Sequence, residues 1–447
     1  MAILARPERT DIHETVAAPS ADRAPRLHRG GQRGTMVAAL ALTALVVAAA
    51  ARPAQPLTEI GALAPDALAR LTRPASYVAL APLCDLYDAL SLLTIRQHLA
   101  VLAWLAMAFV IARGLAARRR GGTGAWREAR AALVVACGIC AFYLAGALIT
   151  RPMAALALAD RDLLTVDVHS HTSASHDGRW DFDAERNRAW HRAAGFDAAY
   201  ITDHREYAGA EAAARGNPAR AGLGTVLLPG VETRVGPEHV NVLGVRAADS
   251  IDANGWLDVR RLRRAHASTD ADRPIILLTA PAARIDRMLA YIPIDAIEVV
   301  DGAPRGLSFT RVHGAEIRSA AERRGASVVA GSDLHGWGRT AAAWTVVRLP
   351  GWRAMTPERL DVALRTALRD PAAVSVVART APPPPFTLAA WLTAPAAIAW
   401  HLFASMTGAE RVSWLAWTWA VWALALVGAR RRRSLGREES AAWQSAA

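Results

Sequence analysis

The chain has 447 residues, 53% of them hydrophobic, with 52 basic and 40 acidic residues giving a net charge of +12. That length allows two or more domains, and the apolar excess lies before residue 150 and after residue 386, which excludes a uniformly soluble protein. The charge does not mark a nucleic-acid binder: residues 1–35 carry +2, 113–130 carry +5 and 430–447 carry +3, whereas residues 151–385 carry only +2, too little for a basic face.

Every basic residue is arginine, and alanine is abundant, a usage that fits a GC-rich bacterial genome. The three cysteines, Cys84, Cys137 and Cys140, all precede residue 150, so the central region has neither a disulfide framework nor a thiolate metal site. Cys137 and Cys140 sit in an apolar run with no second pair to complete a zinc site.

Residues 1–35 read as a basic cytoplasmic tail, and residues 36–150 as a membrane region with three helices. The first candidate is Met36–Ala51, the second Leu99–Ala112 extended backward through Leu92–Ile95, and the third Ala131–Thr150, twenty residues without a charge. A span needs about 20 residues, so the third is the clearest. The two shorter runs also fit buried soluble helices, and Met36–Ala51 also fits a signal peptide ending near Ala48–Ala51. Between the second and third spans lie Arg113, Arg118, Arg119, Arg120, Arg127 and Arg130 against one acid, Glu128. Short arginine-rich loops stay cytoplasmic, so the third span runs outward and places the central domain outside the cytoplasm.

The central domain, residues 155–380, changes pattern. Strands are predicted at Leu163–Val168, Ala198–Ile201, Thr225–Leu228, Val240–Val245, Ile275–Leu278, Ala296–Val300, Ser327–Ala330 and Thr345–Val347. Helices are predicted at Ala184–Ala194, Leu257–Ala267 and Arg311–Arg324. This alternation predicts a parallel α/β sheet, open or closed into a barrel, with functional groups at the C-terminal ends of strands. Histidines and carboxylates fall there: His169 and His171 with Asp177 in "HSHTSASHDG", His204 in "ITDH", Glu232 in "PGVET", His239 in "EHVNV", and Asp333 and His335 in "GSDLHG". Alternate residues of an extended chain face one way, so both imidazoles of the HxH step can face one ion. Mixed histidine and carboxylate donors suit zinc, manganese or iron. His191, His266 and His313 lie on helical stretches and read as surface residues. Arg205, Arg305 and Arg339 stand near strand ends, where a guanidinium can grip an anionic substrate or simply be solvated. Trp337 either lines a pocket or packs on the rim.

In this order the motifs resemble the PHP superfamily, named for polymerase and histidinol phosphatase, over residues 163–348. The resemblance implies a distorted (β/α)7 barrel, here flanked by the transmembrane helices read from the apolar runs, with two or three divalent metal ions and hydrolysis of a phosphate ester by metal-activated water. It implies that His169, His171, Glu232 and Asp333 hold one ion, that Asp177, His204 and His335 hold another, and that His239 and Glu232 serve a third position, with Glu232 and Asp333 catalytic. His176 is an alternative to Asp177. Where the family carries a further histidine ligand, this chain has Ala280, which weakens the third position and leaves a non-catalytic metal- or ligand-binding module as the competing reading. A nuclease role fails for want of a basic face, so the expected partners are a phosphorylated small molecule and the membrane, not nucleic acid.

Residues 381–386 form a proline-rich linker with Pro382–Pro385 as a stiff spacer. Within 387–433, Phe386–Ala404 reads as an interfacial segment and Trp414–Ala429 as a span stopped by Arg430–Arg433, leaving 434–447 as a cytoplasmic tail. The expected location is the cytoplasmic membrane of a bacterium.

Overall fold

The computed structural model describes residues 24–63, 69–120, 124–235, 238–245, 272–279 and 294–446. Residues 46–414 form one compact unit, and residues 1–45 with 415–447 form a second.

The larger unit is a mixed α/β structure. Its strands are β1 (Leu57–Gly61), β2 (Ala69–Thr72), β3 (Ala155–Leu158), β4 (Leu163–Ser170), β5 (Ala198–Ile201), β6 (Val226–Val235), β7 (Glu238–Leu243), β8 (Ile275–Leu278), β9 (Ala296–Asp301), β10 (Ser327–Gly331), β11 (Ala343–Arg348) and β12 (Val374–Arg379). Ten of them form one sheet in the order β1-β12-β11-β4-β5-β6-β7-β8-β9-β10, and β2 pairs separately with β3. The sheet curls until its far edge meets its middle. The Asp333 amide donates to the His169 carbonyl at 2.8 Å, and the Ala330 amide to Thr345 Oγ1 at 2.8 Å, giving a nearly closed, barrel-like form.

Each of the eight predicted segments contains a strand, but the barrel is not a regular (β/α)7. Parallel pairing is confined to β4-β5-β6 and β8-β9-β10. β6, β7 and β8 are antiparallel neighbours, as are β4-β11-β12-β1. For β6 and β7 the cause is connection length: only two residues separate Val235 from its partner Glu238, whereas a parallel return needs a crossover of a dozen or more residues. β1 comes from the stretch read as membrane region and pairs Leu57 with Arg379.

Helix Ala184–Ala194 begins where the Asp183 side chain accepts from the Arg186 amide and ends at left-handed Gly195. The helix predicted at 311–324 starts earlier, at Pro304, where proline at the first turn costs no hydrogen bond. The helix predicted at 257–267 lies outside the described residues. The core is apolar and divides into clusters, of which two are large. Val166, Val168, Tyr200, Leu228 and Leu277 are buried on one side, and Val231, Val242, Ile276, Ile297 and Ile317 on the other. Each fully buried aliphatic side chain contributes about 1.5–3 kcal/mol.

Among the described residues, three helices are long and apolar enough to cross a membrane: Ile95–Arg119, Ala125–Leu148 and Gly408–Arg431. Only 6%, 0% and 6% of their most apolar windows are buried, so these are not core helices of a soluble domain. Gly34–Ala50 and Leu388–Ala404 are shorter apolar helices, the latter with Pro395 inside. The first two long helices form a hairpin. At its far end Arg113 grips Glu128 with two hydrogen bonds of 2.6 and 2.7 Å. At its near end the Ile95 amide donates to Ser308 Oγ at 2.9 Å, and Arg151, just past the second helix, donates to the Gly338 carbonyl.

Candidate metal centre

The site is assembled where β4, β5, β6, β7 and β10 end or turn. His169 lies in β4 and His171 follows it, with its amide bonded to the Leu334 carbonyl at 2.8 Å. His204 follows β5 and bridges to Glu232 of β6. Thus residues from five chain segments converge.

Among the described residues three overlapping donor groups result, each with its donor atoms within 4.8 Å of one another: His169, His171, Glu232 and Asp333; His171, Asp177, His204 and His335; and His204, Glu232 and His239. In the first, His169 Nε2 lies 3.1 Å from Glu232 and 3.3 Å from Asp333, and His171 Nε2 lies 3.2 and 3.3 Å from the same carboxylates. In the second, His204 Nε2 and His335 Nε2 each lie 3.2 Å from Asp177 Oδ2. In the third, Glu232 contacts His204 Nδ1 at 3.5 Å and also His239 Nδ1. Both ring nitrogens of His171 are buried and neither makes an aligned hydrogen bond, Nε2 facing the Glu232 and Asp333 carboxylates at 3.2 and 3.3 Å. An imidazole so placed, with two carboxylates converging on the same nitrogen, fits a role as metal ligand.

Electrostatics agree with that fit. Burial disfavours a charged His171, but Asp333 and Glu232 outweigh it and push the ring up to about 9. Burial also works against ionised Glu232, yet His169, His171 and His239 hold it well below the carboxylate range. His204 goes the other way: burial drives it down to about 4, so it is neutral near pH 7. A site that retains protons on its ligands must release them to a cation. We therefore expect the purified full-length protein to take up about two transition-metal ions per chain, with net proton release near pH 7 and weaker uptake as pH falls. Elemental analysis and titration calorimetry in two buffers of different ionisation enthalpy check this; no metal uptake, or uptake without proton release, would contradict it.

Several supports carried no motif. Glu298 of β9 is buried with both carboxylate oxygens 3.4 Å from His169 Nδ1, so it orients that ring. Its signal was an acid inside the apolar run "AIEVV". Gly331 makes room for this pair, because a Cβ there would meet Glu298 Oε1 at 2.1 Å and His169 Cβ at 2.4 Å. Asp203 fastens the loop after His171 by accepting from the Thr172 amide at 2.6 Å and hydroxyl at 2.7 Å. Asp333 has φ 45, a left-handed conformation that aspartate tolerates better than most residues.

His191 corrects the expectation of a surface residue. It is fully buried, with Nε2 2.8 Å from Asp167 and Nδ1 2.9 Å from the Asn187 carbonyl. Asp167 in turn accepts from the amides of His169 and Ser332, bracing the strand that carries the HxH pair. Its signal was the helix face shared with buried Ala184, Asn187 and Ala194. His313 is partly exposed and pairs with Glu316 at 3.0 Å. His266 and Ala280 lie outside the described residues. His176 remains largely exposed, its ring 4.0 Å from Asp177, and is in none of the donor groups.

Of the three arginines, Arg205 and Arg305 are exposed, whereas Arg339 lies in the wall of a cavity together with Asp333, His335 and Trp337. Arg339 Nη2 donates to the Ser91 carbonyl at 2.6 Å, while its Nε is buried without a hydrogen-bond partner. Burial lowers this guanidinium to about 10, partly offset by Asp301 and Asp333, so it remains charged near neutrality.

No protein-family model and no curated protein matches the sequence. Among solved structures the chain is similar to PsfC from Pseudomonas syringae PB-5123, at 18% identity and TM-score 0.31 over 44% of this chain and 88% of the other. It is also similar to a Bifidobacterium adolescentis protein provisionally named a metal-dependent phosphoesterase, at 16% identity and TM-score 0.29 over 45% and 96%. A third is an amidohydrolase from Chromobacterium violaceum with bound sulfate and no metal, at 18% identity and TM-score 0.26 over 45% and 96%. At these TM-scores the likeness carries no conclusion about activity.

Proposed function

We propose that this protein is a membrane-anchored, metal-dependent phosphoesterase. The observation that carries the reading is the sharing of Glu232 between two donor groups and of His171 between two, which would hold neighbouring ions close together. Bound ions there would supply Lewis acidity and a water acidified towards neutral pH, with two centres to bear the charge of a phosphoryl group. The chain's own residues do the rest. Glu232 and Asp333 place negative charge between the imidazoles, Glu298 and Asp167 hold the HxH strand in register, and Arg339 offers a buried cation to the anionic ester. The test is a panel of aryl phosphate mono- and diesters, incubated with full-length protein loaded with manganese, zinc or iron. Metal-dependent release of the aryl alcohol supports the reading. No hydrolysis with any metal would favour the competing one, a non-catalytic binding module, for which Ala280 in place of a family histidine is the specific observation.

The anchored barrel belongs, on this reading, outside the cytoplasm. Its support is that the arginine-rich ends of the two helices, at Arg113 and Glu128, lie opposite the barrel contacts. A periplasm-active phosphatase reporter fused after Asp160 and a cytoplasm-active reporter fused after Arg120 should both be active. Activity only from the reverse pairing would overturn the assignment.

A further inference from the structure

The metal centre does not open only to water. A cavity of about 430 Å³ joins it to the base of the membrane hairpin. Asp333, His335 and Arg339 line it on the barrel side, and His98, Tyr143 and Ala147 line it on the hairpin side. His98 and Tyr143 belong to the two helices long and apolar enough to span a bilayer, and their polar tips meet at 3.0 Å inside the cavity wall. The junction is built rather than incidental. A Cβ on Gly338 would meet the Gly146 carbonyl at 2.1 Å, so the loop carrying His335 and Arg339 lies directly on the last turn of the second helix. Around this junction Trp337, Leu148, Ile149 and Leu99 are 44%, 52%, 62% and 51% exposed. Tryptophan beside exposed aliphatic side chains at the end of a span is the composition of a membrane interface, the depth at which lipid phosphates lie.

We propose that the substrate is a phosphate ester on an apolar tail, a phosphorylated lipid that reaches the metal centre laterally from the bilayer through this cavity. The inference rests on the phosphoesterase reading and adds the substrate class to it. A soluble ester would leave the aliphatic and aromatic wall wet and would have no use for a channel floored by membrane helices. A lipid places its phosphate between Arg339 and the donor groups while its tail stays against the apolar helix surface. The cavity falls within the roughly 300–1,000 Å³ of small-ligand sites, enough for a headgroup and the first part of a tail. In the reaction the oxygen of water bonds to phosphorus, the ester P–O bond breaks, and the lipid alcohol leaves with a proton that came from the water.

The test uses full-length protein in phosphatidylcholine nanodiscs. With manganese loaded, release of inorganic phosphate from a long-chain phosphatidic acid is compared with release from glycerol phosphate and from an aryl phosphate. Binding is read separately by photocrosslinking a diazirine-tailed phosphatidic acid to metal-free protein and mapping the adduct. We expect kcat/KM at least ten-fold higher for the lipid ester than for glycerol phosphate, and adducts near residues 98, 143–147 and 337. Ala147→Trp should lower the lipid-to-aryl ratio of kcat/KM by ten-fold or more, and Ala147→Leu should do so to a lesser degree should the larger residue prevent folding. Hydrolysis of aryl or glycerol esters without lipid hydrolysis or adducts would overturn the lipid assignment and leave the phosphoesterase reading standing. Adducts in the cavity without hydrolysis of any ester would support lipid entry and sink the enzyme. Adducts confined to the outer faces near 133–135, with no preference for lipid, would overturn the proposal.

Discussion

Glu232→Gln is expected to lower phosphoester hydrolysis by about three orders of magnitude, a rise of roughly 4 kcal/mol in barrier, while leaving the circular dichroism spectrum unchanged. Glu232 is the hub of the site, since its carboxylate meets His169 at 3.1 Å, His171 at 3.2 Å, His204 at 3.5 Å and also His239. The amide has the same shape, so the fold survives, but it removes a charge and points hydrogens where cations belong. Metal content should fall together with the rate. Asp333→Asn should behave similarly, because Asp333 completes one group and touches His335 of another at 3.5 Å. Hydrolysis at the parental rate in both variants would show that the activity arises elsewhere.

Asp88→Ala is expected to be the most destabilising single change outside the metal centre, by about 3–5 kcal/mol. Asp88 sits on the helix Ala81–Ser91 and is almost completely buried. Its carboxylate accepts from Arg379 of β12 at 2.9 Å and from Tyr77 at 3.1 Å, with Arg151 at 3.5 Å. Removing it leaves the guanidinium of Arg379 buried without its hydrogen-bonded carboxylate, with Asp85 acting on it only through space, a larger loss than the pair was worth. Asp88→Asn keeps an acceptor and should cost less. Thermal unfolding in detergent should show midpoints in the order parent, Asn, Ala. A loss under about 1 kcal/mol for Ala would mean that the arginines are solvated in solution.

The same residues show what kind of information a sequence holds. All eight segments predicted as strands contain one, since each is a short apolar or β-branched run whose burial is decided locally. β1, β2, β3 and β12 escaped: β12, VSVVAR, carries a β-type run that was passed over, whereas β1 is made a strand by its pairing rather than its composition. Leu57 meets Arg379 and Gly61 meets Ser375, partners more than 300 residues apart. The regular barrel was wrong for a related reason: strand direction is decided by pairing, and the two residues between β6 and β7 are too few for a parallel return.

At the candidate metal centre, local order in the chain marked the histidines and carboxylates because groups that could bind a metal fall near strand ends in recognisable steps. Their supports were not marked. Glu298, Asp167 and His191 acquire their roles only through contacts across the fold, and an isolated acid or histidine has no signature of the partner it will meet. Three of the four spans read from the sequence fall on helices long and apolar enough to cross a bilayer, a demand on composition over a short window, whereas the run at Met36–Ala51 lies on the shorter apolar helix Gly34–Ala50. That one of those helices ends against the loop of His335 and Arg339 was decided by tertiary structure alone. The sequence by itself determined which residues could bind metal and which segments could enter a membrane. Only the packing of Gly338 on the turn at Gly146 placed the two beside one cavity, because proximity between distant segments is a property of the closed chain.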